Sequence, residues 1–511
     1  MRLTIITILV LLSNICMAQK SNPEKGEVLY HVFQRSFYDS DGNLHGDLNG
    51  LKQKLPYLQD LGITSILLLP LYEADCYHNY FANNFEKIDP NFGTMQEYIS
   101  LVKEIHKRGM KVYMDMETQY VTEKHLWWKD AVGNLNSKFS DYILFEDSVH
   151  KVPATIIFDL RQLNNYNGTS IKITTVNLKN KKVLDYNKKL FSYFVDPNND
   201  GKFDDGVDGF RLDHAMDHLD GKSALTNLFV DFWNPLMTHL KKQNPALNNM
   251  AEQAEWRDYG LEYFKKAGVD RMFGFGLQQA IVSFDKQNLI RNADSILVNC
   301  PKGKEQIIFI ENHDIDRFAS IEPNQQKQKL AASLMLLIGG VPSIYYGQEI
   351  GMLGKNGNWG STDGNDIPRR TAFKWDSSYD AKGMATWYRN VKATWNNDNL
   401  KGNDAVSLEA QLRDSSSLFN YYKKMLQIKH SNPSLAKGNY ENLPNNNSKV
   451  YSFTRTYNGQ KAIVVVNLSN EQQTASFENI NSKTIPLFGK ANFTNNNLHL
   501  NPYEVLVLKV K

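Results

Sequence analysis

Residues 206–218 read GVDGFRLDHAMDH, three aspartates, one arginine and two histidines in a segment that begins like a buried strand. In a β-strand residues i and i+2 face the same side, so Arg211 and Asp213 lie together. An unpartnered carboxylate is costly to bury. One reading is a structural Arg–Asp pair that closes the strand end. The other is a catalytic carboxylate kept ionised by its own cation. The rest of the chain decides between them.

The same design recurs along the sequence. VLYHVFQRSF (28–37), ITSILLLPL (63–71), MKVYMDMETQYV (110–121) and VDGFRLDHA (207–215) are apolar, β-branched runs that end in polar residues. NNMAEQAEW (248–256), VDRMFGFGL (269–277), IIFIENHDIDR (307–317) and VPSIYYGQEIG (341–351) repeat the theme. Amphipathic stretches such as MQEYISLVKEIHKRG (95–109) lie between them with helical spacing. Eight strands alternating with helices predict an α/β fold, a parallel (β/α)8 TIM barrel. The interval of about 120–200 is too long for a simple loop and reads as a subdomain inserted after strand 3. Beyond residue 432, KVYSFTRTYNGQKAIVVVNLS and LNPYEVLVLKVK predict hairpins of a C-terminal antiparallel β-sandwich. The expected domains are therefore a barrel over 19–431 and a sandwich over 432–511.

At 511 residues the chain exceeds a single core. A net charge of +3 with no long basic run argues against nucleic acid. The opening MRLTIITILVLLSNICMAQK has one Arg, a short apolar run and small residues before Lys20. It reads as a signal peptide over 1–18, too short to span a membrane, so the expected location is secreted, periplasmic or extracellular. Cys76 and Cys300 remain, and two distant cysteines read as buried thiols more readily than as a bridge.

In a (β/α)8 barrel the catalytic groups gather at the C-terminal strand ends. Asp115 lies on strand three, Asp213 ends strand four, Glu252 lies on strand five, and Asn312-His313-Asp314 ends strand seven. Each alone has a structural explanation, but four carboxyls, an Arg and a His at one mouth need a use. Two close carboxylates run a retaining glycosidase, one as nucleophile and one as acid/base. Arg211 would keep the nucleophile ionised, and the apolar Met250-Ala251 would raise the acid. Glu255 is a rival acid three residues on.

GFRLDHA, the AE of NNMAEQAEW, and ENHD resemble three ordered motifs of the α-amylase family of glycoside hydrolases. LGITSILLLPLYE, YHNYFANNFEKIDPNFGT, KRGMKVYMD and GGVPSIYYGQEIG resemble its other landmarks in the same order. The resemblance covers about residues 28–430 and the sandwich. It implies Asp213 as nucleophile, Glu252 as acid/base and Asp314 as transition-state stabiliser. It also implies that Arg211 and His313 hold the nucleophile and sugar hydroxyls, and that Tyr80 stacks on the sugar before the scissile bond. The chain departs from the family at Gln119 and Tyr120, where Asn and His are usual, which puts calcium binding and a sugar contact there in doubt; Tyr120 retains a hydroxyl and a ring for substrate. Asp217 replaces a usual His and is expected on the leaving-group side. Asp366 and Arg370 are expected to shape the site, Trp359 to stack on sugar, and Trp127-Trp128 to pack the insertion.

Two loops have the alternate oxygen ligands that suit Ca²⁺. DSDGNLHGD places Asp39, Asp41, Asn43 and Asp47 in register, with the carbonyl of His45 between the last two. DPNNDGKFD repeats the register with Asp196, Asn198, Asp200 and Asp204. Both also read as plain Asp/Asn/Gly turns. The first resembles a calcium loop found after the first barrel strand in part of the family. Any Ca²⁺ would be structural, since this chemistry needs no cofactor.

The expected activity is hydrolysis of α-1,4-linked glucan or maltooligosaccharide chains by a monomer, with no nucleic-acid partner and no membrane span after signal cleavage. An α-glucosidase or transglycosylase on the same scaffold is the alternative within enzymes. A catalytically dead glucan-binding protein is the alternative outside them, and the presence of all three carboxylates argues against it.

Overall fold

The computed structural model describes residues 25–253, 256, 259–389, 405–477, 484–494 and 497–510. The segment 1–18, expected to be a signal peptide, and Glu255 lie outside the described residues. Eight strands close into a parallel barrel: β1 (Leu29–Val32), β2 (Ser65–Leu68), β3 (Lys111–Met116), β4 (Phe210–Leu212), β5 (Met250–Ala251), β6 (Arg271–Phe273), β7 (Glu305–Ile308) and β8 (Val341–Tyr345). Their apolar residues alternate between two surfaces, as the period of two requires. Leu29, Leu67, Tyr113, Met250, Phe273, Ile307 and Val341 fill the interior, while Ile66, Val112, Phe210 and Ile344 pack outward. The barrel is thus a filled core with its chemistry confined to one rim.

All eight expected runs contain a strand, but each strand is shorter than its run. β5 pairs with its neighbours only through Met250 and Ala251. Glu252, expected on that strand, therefore lies one residue past its end, and His313-Asp314 lie in the loop beyond β7. The polar ends of the runs leave the ladder and form the rim.

The helices between strands start on side-chain caps. Asp47 accepts from the Gly50 amide at the head of Leu48–Leu61, and Thr94 with Glu97 forms a capping box at Met95–Lys107. Gly62, at φ 106, ends the first of these in the left-handed region.

A five-stranded sheet stands over the rim, in the order Tyr72–Ala74, Ala82–Ile88, Tyr120–Thr122, Ser170–Thr175, Gln162–Asn164. Two of its strands come from the segment after β2, outside the interval 120–200. Conversely, the helix Lys181–Val195 inside that interval belongs to the barrel layer, with Phe191 packed on Phe210 of β4 at 4.6 Å between ring centroids. Trp127 is buried in the insertion against His125, Tyr142 and Tyr186.

The C-terminal region forms a five-stranded antiparallel sheet, Asn439–Asn442, Val450–Tyr457, Gln460–Asn467, Val505–Val510, Thr484–Phe488, and a three-stranded sheet of Gln473–Ser476, Asn497–Leu500 and Asn492–Thr494. Ile463, Val465, Leu498, Leu500, Leu506 and Leu508 form a core shared by the two sheets. Asn458 and Gly459, both at positive φ, make the hairpin turn. Cys76 and Cys300 are free thiols. Among the described residues no helix is long and apolar enough to cross a membrane.

Candidate active site

β3 and β4 pair in parallel with Asp115 beside Arg211 and Met116 beside Leu212. The Asp213 amide then donates to the Met116 carbonyl at 3.2 Å. Since Tyr113 points into the barrel, Asp115 and Glu117 follow it at intervals of two, as Asp213 follows Arg211. Both strands therefore send acids to the same rim.

Arg211, 2 % exposed, holds these acids together. Its Nη1 donates to Asp115 Oδ2 at 2.7 Å and to Asp213 Oδ1, and its Nη2 donates to Glu252 Oε2 at 2.6 Å. The charges then separate. Burial would raise Asp213, but Arg211 outweighs it and holds the carboxyl well below the usual carboxylate range. Burial pushes Glu252 well above its usual value; Arg211 opposes this, and the charges of Asp213 and Asp314 add to it. Burial also lifts Asp115 to about 7 against the pull of Arg211. One ionised and one protonated carboxyl, side by side, is the arrangement that acid/nucleophile chemistry needs.

Asp314 completes the rim. Its Oδ1 accepts from Arg370 Nη2 at 3.1 Å, its Oδ2 lies 3.1 Å from His313 Nε2, and its side chain is 31 % exposed toward the mouth. Arg370 also donates to the His313 carbonyl at 2.9 Å and reaches Asp366. Burial and the neighbouring His31 and Arg370 keep His313 neutral, well below its ordinary pKa. Tyr80 donates to Asp115 at 2.7 Å, lies 2.8 Å from His313 Nε2 and stacks on that ring, so one of its faces is already covered.

Tyr120 and Asp217 are spent differently from the sequence expectation. Tyr120 is buried and donates its hydroxyl to both oxygens of Asp220, at 2.9 and 2.8 Å, rather than presenting it to substrate. Asp217 Oδ1 accepts from the Phe229 amide at 2.7 Å, capping the turn at Phe229–Trp233. Gln119 donates to the backbone carbonyl of Asp213 and so supports the strand end. Asp208 ties β4 to β3, accepting from the Val112 amide at 2.8 Å and lying 2.9 Å from His106 Nε2. Glu117, on the same rim, accepts from the Gln119 amide at 3.2 Å and has no role in the sequence expectation. The signal for it was present in its spacing of two from Asp115.

The first oxygen-rich loop brings Asp39, Asp41 and Asp47 together, each offering an oxygen within 4.8 Å of the others. Asn43 Oδ1 accepts from the His45 amide, while the His45 ring turns away to Arg35 at 2.8 Å, leaving only its carbonyl for a cation. The second loop forms no such three-acid cluster among the described residues. Asp196 and Asn198 accept backbone amides, and Lys202 Nζ sits 3.2 Å from Asp200.

A family model described as the α-amylase catalytic domain matches residues 31–438, and one described as the maltogenic amylase C-terminal domain matches residues 440–507. The chain belongs to the α-amylase family of glycoside hydrolases. It is 28% identical over 499 residues to Alpha-amylase 3 of Dictyoglomus thermophilum, covering 95% of this chain and 93% of that one. It is 25% identical over 572 residues to an oligo-1,6-glucosidase of Bacillus cereus, covering 95% and 99%. The structure resembles the crystal structure of an alpha-amylase from H. orenii with a TM-score of 0.78 and 26% identity, over 95% of this chain and 100% of that one. These relatives extend through both the barrel and the sandwich.

Proposed function

We propose that this glycoside hydrolase is an exported, retaining enzyme that cleaves α-1,4-glucosidic bonds in starch-derived glucans or maltooligosaccharides. The observation that carries the reading is the shared guanidinium of Arg211, which draws Asp213 and Glu252 together with opposite protonation. Inverting enzymes hold their carboxyls farther apart to admit a water between them. Asp213 attacks the anomeric carbon while Glu252 gives its proton to the departing glycosidic oxygen. Glu252 then takes a proton from water, which displaces Asp213 from the sugar. Asp314, His313 and Arg370 line the side on which positive charge and sugar hydroxyls need partners. The cluster of Asp39, Asp41 and Asp47 has the hard-oxygen chemistry of a structural Ca²⁺ site.

The relatives include both an α-amylase and an oligo-1,6-glucosidase, so linkage is the point to test. Maltoheptaose and isomaltotriose are incubated with the enzyme and products are followed from the first turnover. Mixed short products from maltoheptaose, with isomaltotriose untouched, are the expected result. Glucose alone from the start assigns an α-glucosidase, and products longer than the substrate assign a transglycosylase.

A further inference from the structure

The mouth of the barrel holds a fifth carboxyl that the hydrolytic scheme leaves without a task. Continuing the β3–β4 register by one step past Met116 and Leu212 places Glu117 beside Asp213. A carboxylate oxygen of each and a ring nitrogen of His214 all lie within 4.8 Å of one another. Glu117 is 1 % exposed. The ion pairs of Arg211 go to Asp115, Asp213 and Glu252 and do not include Glu117.

The groups around Glu117 decide its state. Asp115 and Arg211 lie on the same rim, and Asp213 is the adjacent anion. His214 Nδ1 stands 3.7 Å from Glu117 Oε2. Tyr72 donates to the Glu117 backbone carbonyl at 2.8 Å, and the Gln119 amide donates to Glu117 Oε1 at 3.2 Å. Tyr120 and Asp220 pair with each other just beyond. Two adjacent buried carboxylates do not both ionise, and the one outside the reach of the Arg211 guanidinium keeps the proton. Burial first, and then the charge of Asp213, push Glu117 well above its usual value.

We propose that Glu117 is a positioning residue for the nucleophile, a neutral carboxyl whose O–H donates to the Asp213 carboxylate and adds a second anchor to the one from Arg211. This rests on the reading of Asp213 as the attacking group. The donor has a use in both halves of the reaction. It holds the carboxylate in line before attack. In the second half it stabilises the same carboxylate as the sugar–oxygen bond breaks and the electron pair returns to Asp213. His214, at φ 44 in a region sparsely populated by side-chain-bearing residues, stands beside the pair with its Nδ1 3.7 Å from Glu117.

The test compares Glu117→Gln, which keeps a donor, with Glu117→Met, which keeps the volume without one. Steady-state kinetics on maltoheptaose are measured from acid to alkaline pH, with Asp213→Asn as the control on the underlying reading. A hydrogen bond to a charged group corresponds to about a 10- to 100-fold change in rate. Glu117→Met is expected to lose kcat by that factor with KM within about 2-fold, since the interaction acts on the transition state. Its acid limb of kcat/KM moves to higher pH, because losing a donor raises Asp213. Glu117→Gln restores kcat to within about 3-fold of the wild type and leaves that limb in place. Equal kcat in all three proteins, or equal losses in Gln and Met with unmoved acid limbs, overturns the proposal. An infrared difference spectrum of wild type against Glu117→Gln at neutral pH reads the proton directly, even if the Met variant does not fold. A protonated-carboxyl band is expected, and a carboxylate band overturns the proposal. Full turnover by Asp213→Asn instead removes the underlying reading of the nucleophile.

Discussion

Arg211 Nη2 meets Glu252 Oε2 at 2.6 Å while the other terminal nitrogen of the same guanidinium serves Asp115 and Asp213. Three acids from three neighbouring strands thus depend on one buried cation. Removing it leaves the buried Asp213 carboxylate without its cation. Arg211→Met is expected to lower stability by about 3–5 kcal/mol, the usual effect of breaking a buried pair, and to abolish turnover. Arg211→Lys retains the charge but not the planar fork, so it recovers stability and little activity. Thermal denaturation and kcat, measured together, check both statements.

In the proposed mechanism the protonation of Glu252 sets the alkaline side of the activity profile. Its pKa is raised in the folded enzyme, so the acid form is present at neutral pH and is lost as pH rises through that value. Glu252→Gln is expected to lower kcat by at least about 100-fold on maltoheptaose, in the range of general acid catalysis. Its kcat/KM, which reads the first step alone, should fall much less with a leaving group that needs no protonation, such as 4-nitrophenol. The ratio of the two rates is the measurement.

Asp115 gives a prediction in stability. Its folded value of about 7 lies above its ordinary value of 3.8. The folded state therefore holds a proton that the unfolded chain has released over that interval. The contribution to stability is complete below about pH 4 and is lost as pH rises toward 7. Urea denaturation of Asp115→Asn across this window is expected to show a shallower fall with pH than the wild type.

The loop at Asp39–Asp47 predicts sensitivity to chelation. EDTA is expected to lower the thermal midpoint of the wild type and added Ca²⁺ to restore it, by the mass action of a ligand that binds only the folded state. Asp39→Asn should start at the lower midpoint and respond to neither. Asp200→Asn, in the loop whose acid is already held by Lys202, should behave like the wild type.

Much of this architecture is legible in the sequence because the barrel repeats one physical pattern. An apolar run with a polar end is visible at Asp115, Asp213 and His313-Asp314, and the spacing of two puts Arg211 with Asp213. Glu117 obeys the same spacing, yet within MKVYMDMETQYV a second acid looks like the start of a loop. Its significance arises only when β4 is laid beside it. The fates of Tyr120 and Asp217 were equally closed to sequence. Their partners, Asp220 and the Phe229 amide, are set by how the chain turns after β4. The insertion differs for a related reason. Strand pairing drew Tyr72–Ala74 and Ala82–Ile88 into its sheet, while the apolar face of Lys181–Val195, through Phe191 and Phe194, belongs to the barrel.

The most direct measurement is to trap the sugar on the enzyme. A 5-fluoro-α-glucosyl fluoride slows hydrolysis of the covalent intermediate, and peptide mass spectrometry then locates the attached sugar. The mechanism proposed here predicts one sugar per chain, ester-linked to Asp213 within GVDGFRLDHAMDH, and none in Asp213→Asn. A sugar on another carboxylate, or a first-formed product of inverted configuration with no sugar attached, would contradict it.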